Sequence, residues 1–414
     1  MNNQTFSTSI IFVLLLLSIF NFKPASGQPT AVSFLLHPPS GVSISMGESG
    51  VAYTVNDALH SAINPANLGF ISNNSNFGFS AYPQKTQYNK GSQNIYYSNW
   101  GLYAGHGFGE IFEGGRLSAG VGFYRQNYNV SKQINKNETR ITNENTSAIR
   151  IAAMLDWMVD IGLGLGLKFL NSELARYEGD AVIAYDLGIL VKVPVYENEK
   201  ISDRFNFDLD INAGYSLLNI GDDMKYPVSS VYPTSTYLPY PLPRMASLGY
   251  ALRSGLNMVL GDEKIKAVDI LWTAEARDVL VTFENPYEGY KYDDRHFGGI
   301  RPVSDIFLLE RSDVYSMYGF RINLFETIGI SGGANFHEYW GSQRDVNTKG
   351  FFLSTAGISK MLAEWTESPV INFIADHAEL NYMYAEYLPE GDQKYHNNRY
   401  YNQLWLVVKN FDLF

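Results

Sequence analysis

Cysteine is absent from all 414 residues, which removes disulfide staples, thiolate metal ligands, a cysteine nucleophile and a lipoprotein anchor at once. Charge is scarce, since Asp, Glu, Lys and Arg make up 18% of the chain against roughly 25% in an average soluble domain. What charge there is leans negative, with 42 acidic and 31 basic side chains and a net charge of -11. A nucleic-acid backbone would be repelled, so no nucleic acid is expected as a partner. Long apolar runs are missing as well. The strongest, residues 10–20 (IIFVLLLLSIF), rises as a helix by about 16 Å, short of the ~30 Å hydrocarbon core. It leads into the polar stretch NFKPASG, with Ala25 and Gly27 three and one positions before a cut. This predicts a signal peptide over residues 1–27 and Gln28 as the mature N-terminus, although MNNQTFSTS lacks the usual positive charge. With no spanning helix in view, any membrane residence has to be through strands.

Aromatic residues are plentiful, 29 Tyr and 25 Phe among them, and from residue 75 onward the sequence alternates. Over 205–217, Phe205, Phe207, Leu209, Ile211, Ala213, Tyr215 and Leu217 share one face, and Asn206, Asp208, Asp210, Asn212, Gly214 and Ser216 the other. Successive strand side chains point to opposite faces, so this is one apolar and one polar wall. In 161–169, leucines and Phe169 alternate with Gly162, Gly164, Gly166 and Lys168. Strands are predicted near 75–83, 94–106, 115–126, 146–158, 161–173, 180–193, 204–218, 245–259, 264–277, 312–323, 326–338, 348–361, 369–385 and 397–412. Fourteen is even, as a closed outer-membrane barrel with both ends on one side requires. Strands near twelve residues are too long for a β-sandwich, where about five or six is usual.

Loop lengths test the count, because such barrels have short periplasmic turns and longer external loops. Tight connections at 159–160, 261–263 and 324–325 follow the fourth, eighth and tenth strands, whereas long ones at 127–145, 219–244 and 278–311 follow the third, seventh and ninth. The expected fold is therefore all-β, a 14-stranded antiparallel transmembrane barrel over 75–414, with outer-membrane lipid around it. A cation facing lipid at mid-depth costs roughly 2–4 kcal/mol, so charges on the polar parity belong inside. These include Arg150, Lys168, Asp208, Asp210, Arg253, Glu275, Arg277 and Arg321, with Asp186 and Asp269. They form either a polar permeation path or a braced network of paired charges in a plugged lumen.

Residues 28–74 do not alternate and read as an N-terminal plug segment. Asn56-Asp57 is an N-cap signal for a short helix over 58–63, ended by Asn64-Pro65, and small residues such as Gly47, Gly50 and Ala52 permit close packing on a wall. Ser45-Met46-Gly47, Val51-Ala52, Asp57-Ala58, Asn64-Pro65-Ala66 and Leu68 follow one another here, and Leu242-Pro243-Arg244 leads into Leu248-Gly249-Tyr250. In these features the chain resembles the PorV/PorQ family of Bacteroidetes outer-membrane proteins, itself similar to FadL-type fatty-acid transporters. Val42-Ser43 and His60-Ser61 depart from the family pattern. The resemblance implies a plugged fourteen-stranded barrel in the Gram-negative outer membrane that serves type IX secretion. It also implies partners, either the translocon or cargo proteins with C-terminal signal domains. The FadL-type likeness implies instead a channel for hydrophobic small molecules, with a lipid-like ligand in the lumen.

Catalytic chemistry finds no footing. The seven histidines are scattered without a metal-ligand spacing, Asp376-His377 lacks a Gly-x-Ser-x-Gly elbow, and Gly162-x-Gly-x-Gly opens no helix. No cofactor, metal or enzymatic activity is expected. Trp100, Trp157, Trp272 and Trp405 read as interfacial anchors. Tyr232, Tyr237, Tyr240, Tyr287, Tyr290 and Tyr292 fall in the long loops 219–244 and 278–311, as a partner-binding surface or as packing of loop on loop. The expected function is binding or shuttling of cargo or translocon components, with the hydrophobic-solute channel as the alternative.

Overall fold

The computed structural model describes residues 30–410 except 83–85, 91–92, 136–137, 175–176, 228–236, 262, 286–288, 309–313, 340–341, 367 and 390–398. The expected signal peptide lies outside the described residues. Fourteen antiparallel staves follow: β1 (Asn76–Ala81, resuming at Thr86–Lys90), β2 (Gln93–Phe112), β3 (Gly115–Asn135), β4 (Glu138–Asp156), β5 (Asp160–Leu174), β6 (Val182–Ser202) and β7 (Phe205–Gly221). The second half comprises β8 (Met245–Leu260), β9 (Glu263–Val279), β10 (Tyr315–Leu324), β11 (Ile328–Tyr339), β12 (Ser342–Ser354), β13 (Ala378–Pro389) and β14 (Arg399–Val408). Both pieces of β1 pair with β2, and a stub at Tyr177–Glu178 folds back on β5, so sixteen hydrogen-bonded pieces make fourteen staves. Each stave pairs with its sequence neighbour, and β1 also pairs with β14 from Phe77↔Val408 to Ala81↔Leu404, which closes the cylinder.

Parity decides the walls. Ile161, Leu163 and Leu165 of β5 are 44–57% exposed while Gly162, Gly164 and Gly166 between them are buried. The apolar side chains face outward because the inside is already filled, which inverts the soluble rule and suits an acyl-chain environment. Connections after β2, β4, β6, β8 and β10 have three residues or fewer, and this rim also carries the start of β1 and the end of β14.

Four expectations need correction. The expected loop 127–145 is largely strand, because β3 and β4 stay paired from Asn127↔Asn145 to Asn135↔Glu138, leaving only the tip between them as a connection. Strands were expected over 348–361 and 369–385, yet 356–377 forms helices α3 (Ala356–Trp365) and α4 (Pro369–His377), with β13 starting only at Ala378. In place of a helix over 58–63 there is a single 3-10 turn, His60–Ala62, flanked by helices α1 (Gly41–Ser45) and α2 (Asn67–Ile71). Trp405 is an inward residue of β14, 3% exposed and packed with Val42 and Met46, whereas Trp100, Trp157 and Trp272 are exposed.

Candidate functional site: the filled lumen and its outer loops

Residues 30–75 occupy the lumen. The segment starts among the loops, where the Ala31 N–H donates to the carbonyl of Pro241, and descends through α1 and α2 into β1. Its small and polar residues meet the wall on every side. Gly41 N–H donates to Gln403 on β14, Gly47 N–H to Thr348 on β12, and Ser331 on β11 donates to Ser45. Gly50 and Val51 N–H share one carboxylate oxygen of Glu275 on β9, at 2.7 and 3.0 Å. Asn64 Nδ2 donates to Ile189 on β6, and Ser118 on β3 donates to Gly69.

The motif residues act within this seal. Gly47 adopts φ 70, and a Cβ there would lie 2.5 Å from the carbonyl oxygens of Ala334 and Tyr318. Met46 and Ala66 are fully buried. Asp57 accepts from Ser40 and from the Leu59 N–H, while Asn56 beside it is half-buried. Asn64 bonds both the plug carbonyl of Val51 and the wall, and Pro65 backs onto Gly164.

The inward charges are grouped in clusters. Asp186 receives Arg150 at 2.6 Å on one oxygen and Lys168 at 3.0 Å on the other, with all three side chains buried. Arg150 also bonds Tyr124 and the plug carbonyl of Ala62. Arg253 grips Asp269 with two bonds of 2.6 and 3.2 Å, and Arg321 stands 3.9 Å away. Arg277 bonds Glu275 and the carbonyl of Glu48, tying β9 to the plug. Nearer the short-turn rim, Asp208 receives Asn257 at 2.6 Å, and Asp210 lies 3.9 Å from Lys192. Between plug and wall, a recess edged by Leu35, His37, Ile63, Gln126, Lys168 and Arg277 has room for little more than a water.

Above the lumen, two hairpins cross-link. Met224–Pro227 pairs with Tyr237–Tyr240, and Val281–Asn285 with Gly289–Tyr292. The Asp223 carboxylate accepts from the hydroxyls of Tyr290 and Tyr292, and Tyr292 accepts from the Leu242 N–H under the guanidinium of Arg244. Burial and the Asp223 carboxylate raise both phenols above the ordinary tyrosine range. Burial alone would lift the Asp293 carboxyl, but the hydrogen bonds and charge of Arg295 outweigh it and hold it low. Tyr240 is 38% exposed and edges onto Tyr226, whereas Tyr232, Tyr287 and the Tyr237 side chain lie outside the described residues.

Sequence reasoning missed that the β9–β10 loop does not only cover the mouth. It also straps the outer face of the barrel, where Ile300 and Ile306 cover Leu217, Leu248 and Ala274, and Tyr215 donates to the carbonyl of His296. The signal was the run of small outward residues on β8 and β9, Ala246, Ala274 and Ala276, which leaves space for a strap.

Among the described residues no group of His, Asp and Glu has the arrangement of a metal site, and no helix is long and apolar enough to cross a membrane. His377 ends α4 beside the carbonyl of Lys409.

A family profile described as type IX secretion system protein PorV matches residues 25–247. No curated protein matches the sequence significantly. Among solved structures, a deltaS2S3 mutant of the monoaromatic hydrocarbon channel TodX aligns with TM-score 0.42 and 10% identity, covering 91% of this chain and 100% of that one. A Pseudomonas aeruginosa FadL homologue aligns with TM-score 0.40 and 8% identity over 94% and 100%. The β domain of the Bordetella autotransporter BrkA aligns with TM-score 0.37 and 7% identity over 81% and 99%.

Proposed function

We infer the role of this chain from its family: it belongs to the PorV family of type IX secretion system proteins, outer-membrane barrels of Gram-negative bacteria. It is a secretion protein rather than a member of a known enzyme family. Within that system we propose that it binds and hands on its partners, which are cargo proteins with C-terminal signal domains or translocon components, through the loops of its outer rim. Residues 1–27 are read as its export signal.

The observation that carries this reading is the seal. Among the described residues a plug hydrogen-bonded to β3, β6, β9, β11, β12 and β14 fills the lumen, which favours the rims and loops as the surfaces offered to other molecules. The exposed Tyr240 supplies aromatic area of the kind that anchors interfaces at low entropy cost, and by their sequence position in the same loops Tyr232, Tyr237 and Tyr287 are proposed to add to it. Tyr290 and Tyr292 hold the platform together from beneath.

The test is deletion of the gene followed by quantification of the secreted proteins, with affinity purification of the tagged barrel from detergent-solubilised membranes. Loss of proteins bearing C-terminal signal domains from the medium, and their co-purification, is expected. An unchanged secreted set would sink the proposal. Uptake of a hydrophobic solute by proteoliposomes, with secretion intact in the deletion strain, would replace it with the channel reading.

A further inference from the structure

The link from β12 to β13 departs from the tight turns around it, and its two helices carry their amphipathicity inverted. On α3 the small and polar side meets the barrel. Ala356, Gly357 and Ser359 are buried, Gly357 sits against the carbonyl of Phe325, and Lys360 pairs with Glu326 at 2.7 Å. The Glu364 carboxylate lies over the turn at Gly261. The large apolar side, Ile358, Leu362 and Trp365 at i, i+4 and i+7, points away, with Trp365 79% exposed. On α4, Val370, Phe373 and Ile374 are likewise exposed, and no residue of that helix is buried. A helix resting on a soluble core turns its apolar stripe inward. Here six large apolar side chains are turned outward, a surface that water disfavours.

What covers them follows from where they lie. Leu324, Phe325 and Ile328 at the turn beneath α3, and Leu380 just after α4, are themselves 41–49% exposed and belong to the outward apolar wall. The ledge therefore continues the surface that faces acyl chains. The six outward side chains are uncharged, and a tryptophan at the helix end suits the depth where headgroups begin.

We propose that α3 and α4 form an amphipathic ledge lying in the headgroup–acyl boundary of the periplasmic leaflet, with phospholipid as the occupant of its apolar face. The ledge sets the depth of the barrel in the membrane, because Lys360 on its polar side pairs with Glu326 in the β10–β11 turn and donates to the carbonyl of Lys264 beside the β8–β9 turn. This rests on the reading of the outer wall as lipid-facing.

The absence of cysteine allows the test on the full chain, with single sites at Phe373→Cys on the ledge, Leu163→Cys on the wall and Asn372→Cys on the other side of α4. Each is labelled with an environment-sensitive fluorophore and placed in phosphatidylethanolamine–phosphatidylglycerol nanodiscs, whose two faces are both open to solvent. With brominated acyl chains, the labels at 373 and 163 should lose most of their emission, while the label at 372 responds to aqueous iodide instead. A label at 373 quenched by iodide, or shielded from both quenchers as under a protein partner, overturns the ledge while the response at 163 keeps the membrane wall. Lipid quenching at neither 373 nor 163 overturns both. The heat-dependent gel shift of each variant confirms that it is folded.

Discussion

At the scale of single residues, the lumen is held by contacts that tolerate little change. Glycine in a strand interior normally costs about 0.5–1 kcal/mol relative to alanine. Gly164 reverses this, because its Cβ would lie 2.4 Å from the Ala66 nitrogen and the Pro65 carbonyl carbon of the plug. Gly164→Val is expected to destabilise by about 1–3 kcal/mol through overpacking, read as a lower temperature for loss of the fast-migrating unboiled band. Glu275 tests the opposite failure, a missing charge. Its carboxylate accepts two plug N–H groups and the Arg277 guanidinium, all buried. Buried ion pairs add little net stability when whole, but removing one partner strands the other and costs about 3–5 kcal/mol. Glu275→Gln should therefore lower the unfolding midpoint in urea more than Gly164→Val does. Equal midpoints for Glu275→Gln and the parent would show that the plug does not depend on this carboxylate.

Elements differ in how openly the sequence declares them, and the difference is physical. Staves with one apolar and one polar face, such as β5 and β7, reveal both position and parity through period two. β14 does not, since Tyr400, Tyr401, Leu404, Trp405 and Leu406 place apolar groups on both faces, and Trp405 turns inward into a cluster with the plug's Val42 and Met46 and the wall's Met383 and Phe352. The rim helices were masked because their outward side chains are as apolar as a strand's. Ser368-Pro369 carried a legible helix start, with proline at the first helical position. The buried pairing of Arg150 and Lys168 with Asp186 was legible as inward parity but not as contact, since alternation does not give the register of the neighbouring staves β4, β5 and β6, which sets Arg150 level with Gly166 and Gly166 level with Asp186. The loop platform offers an element-scale prediction. Asp223→Ala removes the acceptor shared by Tyr290 and Tyr292, so proteolysis within 222–244 and 280–314 should accelerate while the unfolding temperature of the barrel stays unchanged. The raised phenols give a pH signature in the parent protein. A raised folded pKa contributes stability that is present below the unfolded value of about 10 and lost as pH climbs from there through the folded value. Loop cleavage should thus increase only in alkaline buffer beyond that point, and a flat profile would argue against the staple.

For the molecule as a whole, the deciding issue is whether the plug ever moves. A barrel that hands on proteins through its outer loops can keep its lumen shut, whereas a solute channel must displace the segment that fills it. Ser45 on the plug and Ser331 on β11 have their hydroxyl oxygens 2.8 Å apart, which makes the pair the plug–wall contact chosen for a disulfide. The chain has no other cysteine to compete, and the oxidising periplasm favours closure of the bond. Ser45→Cys/Ser331→Cys is expected to form a covalent lock between plug and wall, checked by its mobility on a gel with and without reductant. In a strain carrying only this variant, secretion of proteins with C-terminal signal domains is expected at the parental level, with or without a reductant. If secretion stops in the oxidised form and returns when the bond is reduced, plug movement is part of the function and the sealed-lumen reading fails. Parental secretion from the oxidised variant favours the rims as the working surface, because under the lock withdrawal of the plug from β11 at Ser45 is not available to account for it.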